Sequence, residues 1–209
     1  MAGPELIILA DEPRAGEAMA GLIPRFSPAE AVEVASALIL ATVDLAIASW
    51  PGTVSLYAWP HAGHDVFTSL ARERGLYLGV QRGADRAARV YSALTEAVGR
   101  SGAAAVMRAD VPHCPWQAID QANEWLAQGY NVLGPTESGD GYFFGVRDID
   151  PRLIEEVPWG TPRLVAALSH RAEELGLDLE LLPALHMIDT PHDLWLISQT
   201  CEVLRPLVK

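Results

Sequence analysis

The sequence predicts an α/β fold built on a mostly parallel sheet. Three observations carry that expectation: short apolar runs, helix signals alternating with them, and loops marked by glycine or proline at the junctions. The first run, Leu6-Ile7-Ile8-Leu9-Ala10, ends in Asp11-Glu12-Pro13 and reads as a buried strand followed by a loop. Ser27-Pro28-Ala29-Glu30 opens a helix, with serine at the N-cap, proline in the first position and glutamate placed to close a capping box. The Ala-, Val- and Leu-rich segment behind it runs close to Ser49 and is stopped by Pro51-Gly52. Val54-Ser55-Leu56-Tyr57-Ala58-Trp59 is strand-like and ends at Pro60. Helices are expected over about 65–74 and 84–98, the second following Gln81-Arg82-Gly83.

Ala103-Ala104-Ala105-Val106-Met107 is a second buried strand, closed by Arg108-Ala109-Asp110. A helix over 115–128 ends at Gly129, as a C′ glycine would end it. Asn131-Val132-Leu133 and Tyr142-Phe143-Phe144 are strand-like pieces on either side of a glycine-rich turn. Thr161 at the N-cap and Pro162 in the first position start a further helix that Gly176 ends. Residues 179–188 read as extended and apolar. Asp189-Thr190-Pro191 caps a last helix, with Asp193 in its first turn, that runs to about 203. No repeat, low-complexity tract or linker interrupts this alternation, so one domain over 1–209 is expected.

Half of the residues are hydrophobic and a fifth charged, the composition of a folded chain. Acidic side chains number 27 against 15 basic, a formal net charge of −12. A nucleic-acid partner is therefore not expected, since such binding rests on Lys and Arg neutralising phosphates. Cys114 and Cys201 each stand alone, with no zinc spacing or disulfide framework, which suits a reducing cytoplasm. Met1-Ala2-Gly3-Pro4-Glu5 lacks the basic region of a signal peptide. The longest apolar stretch, 35–50, is interrupted by Ser36, Thr42, Asp44 and Ser49 and falls short of the ~20 residues of a membrane span. A cytoplasmic protein without a membrane partner is the expectation.

Ligands of open α/β sheets bind beyond the carboxyl ends of the strands, which singles out three loops. In the first, Asp11 to Gly16, Arg14 and Gly16 are the candidates for approaching a phosphate; Asp11, Glu12 and Glu17 oppose an anion there. In the second, Asp110 stands at the end of a buried strand, where a carboxylate would bind Mg²⁺ or Mn²⁺; capping the turn before Pro112 is the alternative. In the third, Gly134-Pro135-Thr136-Glu137-Ser138-Gly139-Asp140-Gly141, two glycines around Asp140 permit positive φ and close approach of a ligand; a wide turn between two strands is the alternative. Trp159-Gly160-Thr161 offers an indole face to a sugar, or simply a helix cap through Thr161. His113 has no partner pattern that would complete a zinc site.

The order of these loops resembles a family of bacterial glycosyltransferase-like proteins within the nucleotide-diphospho-sugar transferase (GT-A) superfamily, relatives of molybdenum-cofactor guanylyltransferase and phospholactate guanylyltransferase. Six motifs carry the resemblance from Leu6 to Leu196. A-K-x-P-x-x-G-x-x-K-T-R-L is represented by 10–22; Q-x-G-x-D-x-x-x-R by Gln81, Gly83, Asp85 and Arg89; and D-x-P by Asp110 and Pro112. G-P-x-x-D-G-G-Y-Y falls on 134–142, W-G-T on Trp159, Gly160 and Thr161, and D-x-D-T-P-x-D-L on 187–194. The resemblance implies a three-layer α/β/α, Rossmann-like fold with a mostly parallel mixed sheet. It implies a nucleotide or nucleotide-sugar ligand and is compatible with a homodimer. It also implies catalytic roles for Asp110 and Asp140, substrate contacts from Arg14, Gly16, Gln81, Arg89, Gly139, Trp159 and Thr161, and a divalent Mg²⁺ or Mn²⁺ on Asp110 and Asp189.

The departures from the pattern fall on charged positions. The family's first lysine is Asp11, its K-T-R is Met19-Ala20-Gly21, the acid of D-G-G is Ser138 with Asp140 two residues on, and the first acid of D-x-D is Met187. Three readings follow. One is a metal-dependent glycosyl- or nucleotidyl-transferase; the second is a catalytically degenerate member that serves as a binding or partner subunit; the third is a transferase that takes a different, less anionic donor.

Overall fold

The computed structural model describes residues 3–23 and 25–208. Met1 and Ala2, on which the absence of a leader was read, lie outside the described residues. In chain order the elements are β1 (Glu5–Asp11), α1 (Pro28–Ser49), β2 (Val54–Trp59), α2 (Asp65–Arg74), β3 (Tyr77–Val80) and α3 (Arg86–Ser101). They continue with β4 (Ala104–Arg108), α4 (Trp116–Gln128), β5 (Asn131–Pro135), β6 (Gly141–Val146), α5 (Pro151–Ile154), α6 (Leu164–Leu175), β7 (Leu179–Leu181) and α7 (Pro191–Ser198). Short 3-10 turns cover Ala20–Leu22 and Glu202–Leu207.

Among the described residues the strands form one seven-stranded sheet in the order β3-β2-β1-β4-β6-β5-β7. Neighbours run parallel except β6, which is antiparallel to β4 and β5. The two-residue alternation of the central strands sorts their side chains onto two faces. Leu6, Ile8 and Ala10 of β1 pack with Leu56, Met107 and Phe143 under α1, α2 and α4. Ile7 packs with Val106, Leu133 and Phe144 under α3, α5 and α6. The result is the three-layer α/β/α arrangement with a mixed, mostly parallel sheet. A third, smaller apolar cluster joins Leu22, Leu38, Leu194 and Leu204, and so ties the segment after β1 to α7.

Local signals place most elements where the sequence puts them. The Ser27 hydroxyl accepts from the Glu30 amide at 3.3 Å and the Glu30 carboxylate accepts from the Ser27 amide at 2.8 Å, completing the capping box of α1. Helix α1 spans the 22 residues its cap and stop signals predict; it is longer than the apolar stretch 35–50 alone, and by length and composition it is long and apolar enough to cross a membrane. In the fold one of its faces, with Leu38, Ile39, Val43 and Ala46, is buried in the apolar clusters.

Five expectations need correction. Strand β3 lies where no strand was foreseen: it is a four-residue edge piece with Tyr77 exposed, and pairing to β2 rather than an apolar run defines it. Helix α6 starts at Leu164, not at Thr161 and Pro162. The Thr161 hydroxyl instead donates to the Pro158 carbonyl at 2.8 Å and accepts from the Arg163 amide at 3.3 Å, closing a tight turn before the helix. Of 179–188 only Leu179–Leu181 is strand; beyond Pro183 a single bridge, Leu185 to Thr136, remains. Helix α7 ends at Ser198, and the chain continues as a 3-10 turn containing Pro206. Helix α5 was missed although Asp150-Pro151 is an N-cap and first-turn proline: the Asp150 carboxylate accepts from the Arg152 amide at 2.9 Å.

Candidate functional site

The loops after β1, β2 and β4 and the β5–β6 turn gather at the carboxyl edge of the sheet. Between them lies an open cleft of about 390 Å³, walled by Asp11, Glu12, Arg14, Trp59, Arg86, Arg108 and Asp110 among others. A narrower recess of about 60 Å³ continues inward past Arg108 to Asp140, Tyr142 and Trp159.

Arg108 is the hub of this edge, and the sequence reading passed over it. It is the last residue of β4, and the turn that begins at Ala109 brings Asp110, two residues on, back to it. Its guanidinium grips Asp110 in a fork, Nε to Oδ1 at 2.9 Å and Nη2 to Oδ2 at 2.6 Å. Its remaining nitrogen, Nη1, donates to Asp140 Oδ2 at 3.3 Å. Burial works to lower the basicity of the guanidinium. The charges of Asp110, Asp140 and, farther off, Asp189 outweigh burial and raise it, so Arg108 stays charged. A charged strand-end residue two positions before an acid was the available signal.

Asp140 is nearly buried and is held twice: Oδ2 by Arg108, and Oδ1 by the Gly160 amide at 3.1 Å. That second bond draws Trp159-Gly160-Thr161 onto the β5–β6 turn. The turn itself is closed by Thr136, whose amide (2.7 Å) and hydroxyl (3.1 Å) both donate to the Asp140 carbonyl. Of the two glycines flanking Asp140 only Gly139 has positive φ, at +92°; a side chain there would overlap the Pro162 carbonyl. Gly139 therefore fits the turn against the start of α6. Trp159 donates from its indole to the Ile154 carbonyl at 3.2 Å, stands edge-on to Phe144 and lines the inner recess.

The other candidates are placed as follows. Arg14 lines the cleft, paired with Glu12 at 3.2 Å, and Arg86 lies 3.8 Å from Asp11. Hydrogen bonding from Arg14 holds the Glu12 carboxyl below its ordinary range. Gly16 has φ +87° with open space around it, so it serves its own turn. Gln81 is buried and straps two strand ends, its amide donating to the carbonyls of Ala10 (3.2 Å) and Tyr57 (2.9 Å), while also lining the recess. Arg89 stacks 4.3 Å over the Trp59 indole, and Trp59 is the cleft-lining member of the pair. Asp189 is exposed ahead of α7, with Gly21 packed so closely on its backbone that any side chain at position 21 would overlap the Asp189 carbonyl. The structure thus brings Asp110 and Asp140 onto Arg108, with Arg14 and Trp159 on the walls of the two cavities, while Asp189 stays exposed on the loop before α7. Gly16, Gly139 and Thr161 shape the loops beside them.

The acids do not form a metal cage. Among the described residues no group of three or more His, Cys, Asp or Glu side chains is arranged to hold an ion. Both Asp110 oxygens and both Asp140 oxygens already accept hydrogen bonds. Met187, a soft thioether in place of an acid, is buried two residues before Asp189 and gives a hard cation no oxygen. A dication about 4 Å from the Arg108 guanidinium would meet repulsion on the order of 8 kcal/mol at an effective dielectric near 20, before screening by solvent. This donor set does not fit a divalent ion while Arg108 holds its present place.

A histidine bridge braces the same edge. His186 Nδ1 donates to Glu137 at 2.7 Å and Nε2 to Asp193 at 2.9 Å, so both carboxylates are satisfied only by the imidazolium. Asp193 first and Glu137 second raise the affinity of His186 for its proton. With the folded value above the ordinary 6.5 or so, the brace is fully present below that pH and is lost as pH climbs through the raised value. The difference in melting temperature between wild type and His186→Gln is expected to be largest near pH ~5.5 and to narrow towards pH ~8.5; an unchanged gap in thermal melts across that range would contradict it. His113 donates from Nε2 to the His186 carbonyl at 2.8 Å, and burial lowers its basicity, so it is a structural neighbour of the brace.

Strand order, helical layers and a polar cleft at the carboxyl edge define the nucleotide-diphospho-sugar transferase-like (GT-A) fold, and solved structures share it. The chain overlays a "putative nucleotide-diphospho-sugar transferase" from Desulfovibrio desulfuricans G20 with a TM-score of 0.84 at 18% identity, covering 96% of this chain and 88% of that one. It overlays 4-diphosphocytidyl-2C-methyl-D-erythritol synthase from Anaerococcus prevotii DSM 20548 with a TM-score of 0.61 at 12% identity, covering 96% and 99%. Glucosyl-3-phosphoglycerate synthase from Mycobacterium tuberculosis, solved with Mn²⁺, uridine diphosphate and glucosyl-3-phosphoglycerate, gives 0.52 at 11% identity, covering 88% and 71%. The chain belongs to the bacterial family described as "Uncharacterized protein conserved in bacteria (DUF2064)", whose model matches residues 42–161. No curated protein matches the chain.

Proposed function

We propose that the protein is a cytoplasmic transferase of the nucleotide-sugar class that receives a nucleotide or nucleotide sugar in the cleft beyond β1, β2 and β4. The observation that carries this reading is the placement of the cleft: an open, polar cavity at the carboxyl edge, walled by an indole and three arginines. Trp59 offers a flat apolar face suited to a base or sugar ring. Arg14, Arg86 and Arg108 are the cations within reach of a diphosphate, and each would exchange a carboxylate partner for it. In a glycosyl transfer an acceptor hydroxyl oxygen would bond to the anomeric carbon as the bond to the diphosphate oxygen breaks, its proton passing to the leaving diphosphate or to solvent, and the nucleoside diphosphate would leave with charge that these arginines are placed to meet. The Mn²⁺ and uridine diphosphate in the M. tuberculosis structure support a nucleotide ligand for the fold.

The test is calorimetric titration with UDP, CTP, GTP and UDP-glucose. Saturable binding of at least one is expected, weakened about tenfold by Arg86→Ala and by Trp59→Ala. Binding by none of them at millimolar concentration would overturn the reading. A second reading, a binding or partner subunit without catalysis, draws on the engagement of every cleft arginine with a neighbouring carboxylate. It predicts nucleotide binding without turnover.

A further inference from the structure

The carboxylates of the inner edge already share a cation. Asp110 is gripped by two nitrogens of Arg108, and Asp140 accepts from a third. We infer that Arg108 is the resident cation of the cleft, taking the place and part of the charge that a divalent metal would supply between Asp110 and Asp140, so that the site excludes Mg²⁺ and Mn²⁺ and receives its ligand without them. The geometry supports this in three ways. The Asp110 fork uses both oxygens, the arrangement in which arginine binds a carboxylate best. The guanidinium is tethered to the end of β4, a central strand, and so is fixed before any ligand arrives. It also forms part of the walls of both the outer cleft and the inner recess, leaving it facing whatever enters. Arg108 thus acts as a positioning and specificity residue that decides which cations the acids accept. The part of the inference that concerns a ligand rests on the function proposed above; the part that concerns metal does not.

Mn²⁺ titration followed by the electron paramagnetic resonance signal of the free ion tests the metal half without any nucleotide. Wild type is expected to show no uptake that Asp110→Asn abolishes. Folded Arg108→Gln should bind Mn²⁺ at least about tenfold more tightly than wild type, with Asp110→Asn reversing the gain, and Arg108→Lys should behave as wild type. Asp110-dependent uptake by wild type, or no gain in a folded Arg108→Gln, overturns the assignment. Should Arg108→Gln fail to fold, wild type against Asp110→Asn still decides. In the nucleotide arm, the affinity of wild type for UDP or GTP is expected to be equal in EDTA and in millimolar Mn²⁺; a rise beyond about tenfold with Mn²⁺ overturns metal-free reception. Failure of every nucleotide under both conditions refutes the proposed function, while the Mn²⁺ titration still judges Arg108.

Discussion

Asp140→Ala is expected to destabilise the protein by about 3 kcal/mol and Asp140→Asn by roughly half of that, on the scale of breaking a largely buried charge pair. The alanine removes two interactions from a nearly buried position: it strips Arg108 Nη1 of one carboxylate and leaves the Gly160 amide without its acceptor. The asparagine keeps an oxygen for Gly160 and loses only the charge opposite Arg108, which retains its fork on Asp110. For a chain of this size the alanine corresponds to a fall in melting temperature of about 6–12 °C. Thermal unfolding of the two variants checks the size and the order of the effects. Equal losses would show that the Gly160 bond carries no weight and that the turn is not fastened through Asp140.

Gly21→Arg, which restores the basic residue found there in the resembling family, is expected to cost about 2–3 kcal/mol rather than to recruit a phosphate. Gly21 lies in the 3-10 turn Ala20–Leu22, and its α-carbon is pressed against the Asp189 backbone, so the first carbon of any side chain meets the Asp189 carbonyl. Gly21→Ala is expected to lose as much as Gly21→Arg, because the overlap begins at the β-carbon. Each should lower the urea midpoint by about 1 M. A wild-type midpoint for Gly21→Arg would show that the loop moves aside freely and that the contact with Asp189 is loose. The change from arginine to glycine is thus a change of packing as much as of charge.

The sequence alone carried the central strands of the sheet. Short apolar runs such as Leu6 to Ala10, the Ser27–Glu30 capping box and the glycine after Gln128 are local signals, and local chemistry enforces them wherever they occur. It also located the cleft, since the loops holding Asp11, Asp110 and Asp140 follow strands that had to be parallel. Tertiary structure decided the rest. Strand β3 exists because β2 offers an edge, and the helix after Trp159 starts late because the Thr161 hydroxyl closes a turn between Pro158 and Arg163 ahead of it. Above all, a linear string does not tell which charges will meet: Asp110 and Asp140 are far apart in sequence, and only folding sets both on Arg108. Electrostatic interaction depends on distance in space and on burial, and neither is written in sequence order. The acids could be named from the sequence; the cation that binds them together could be assigned only from the fold.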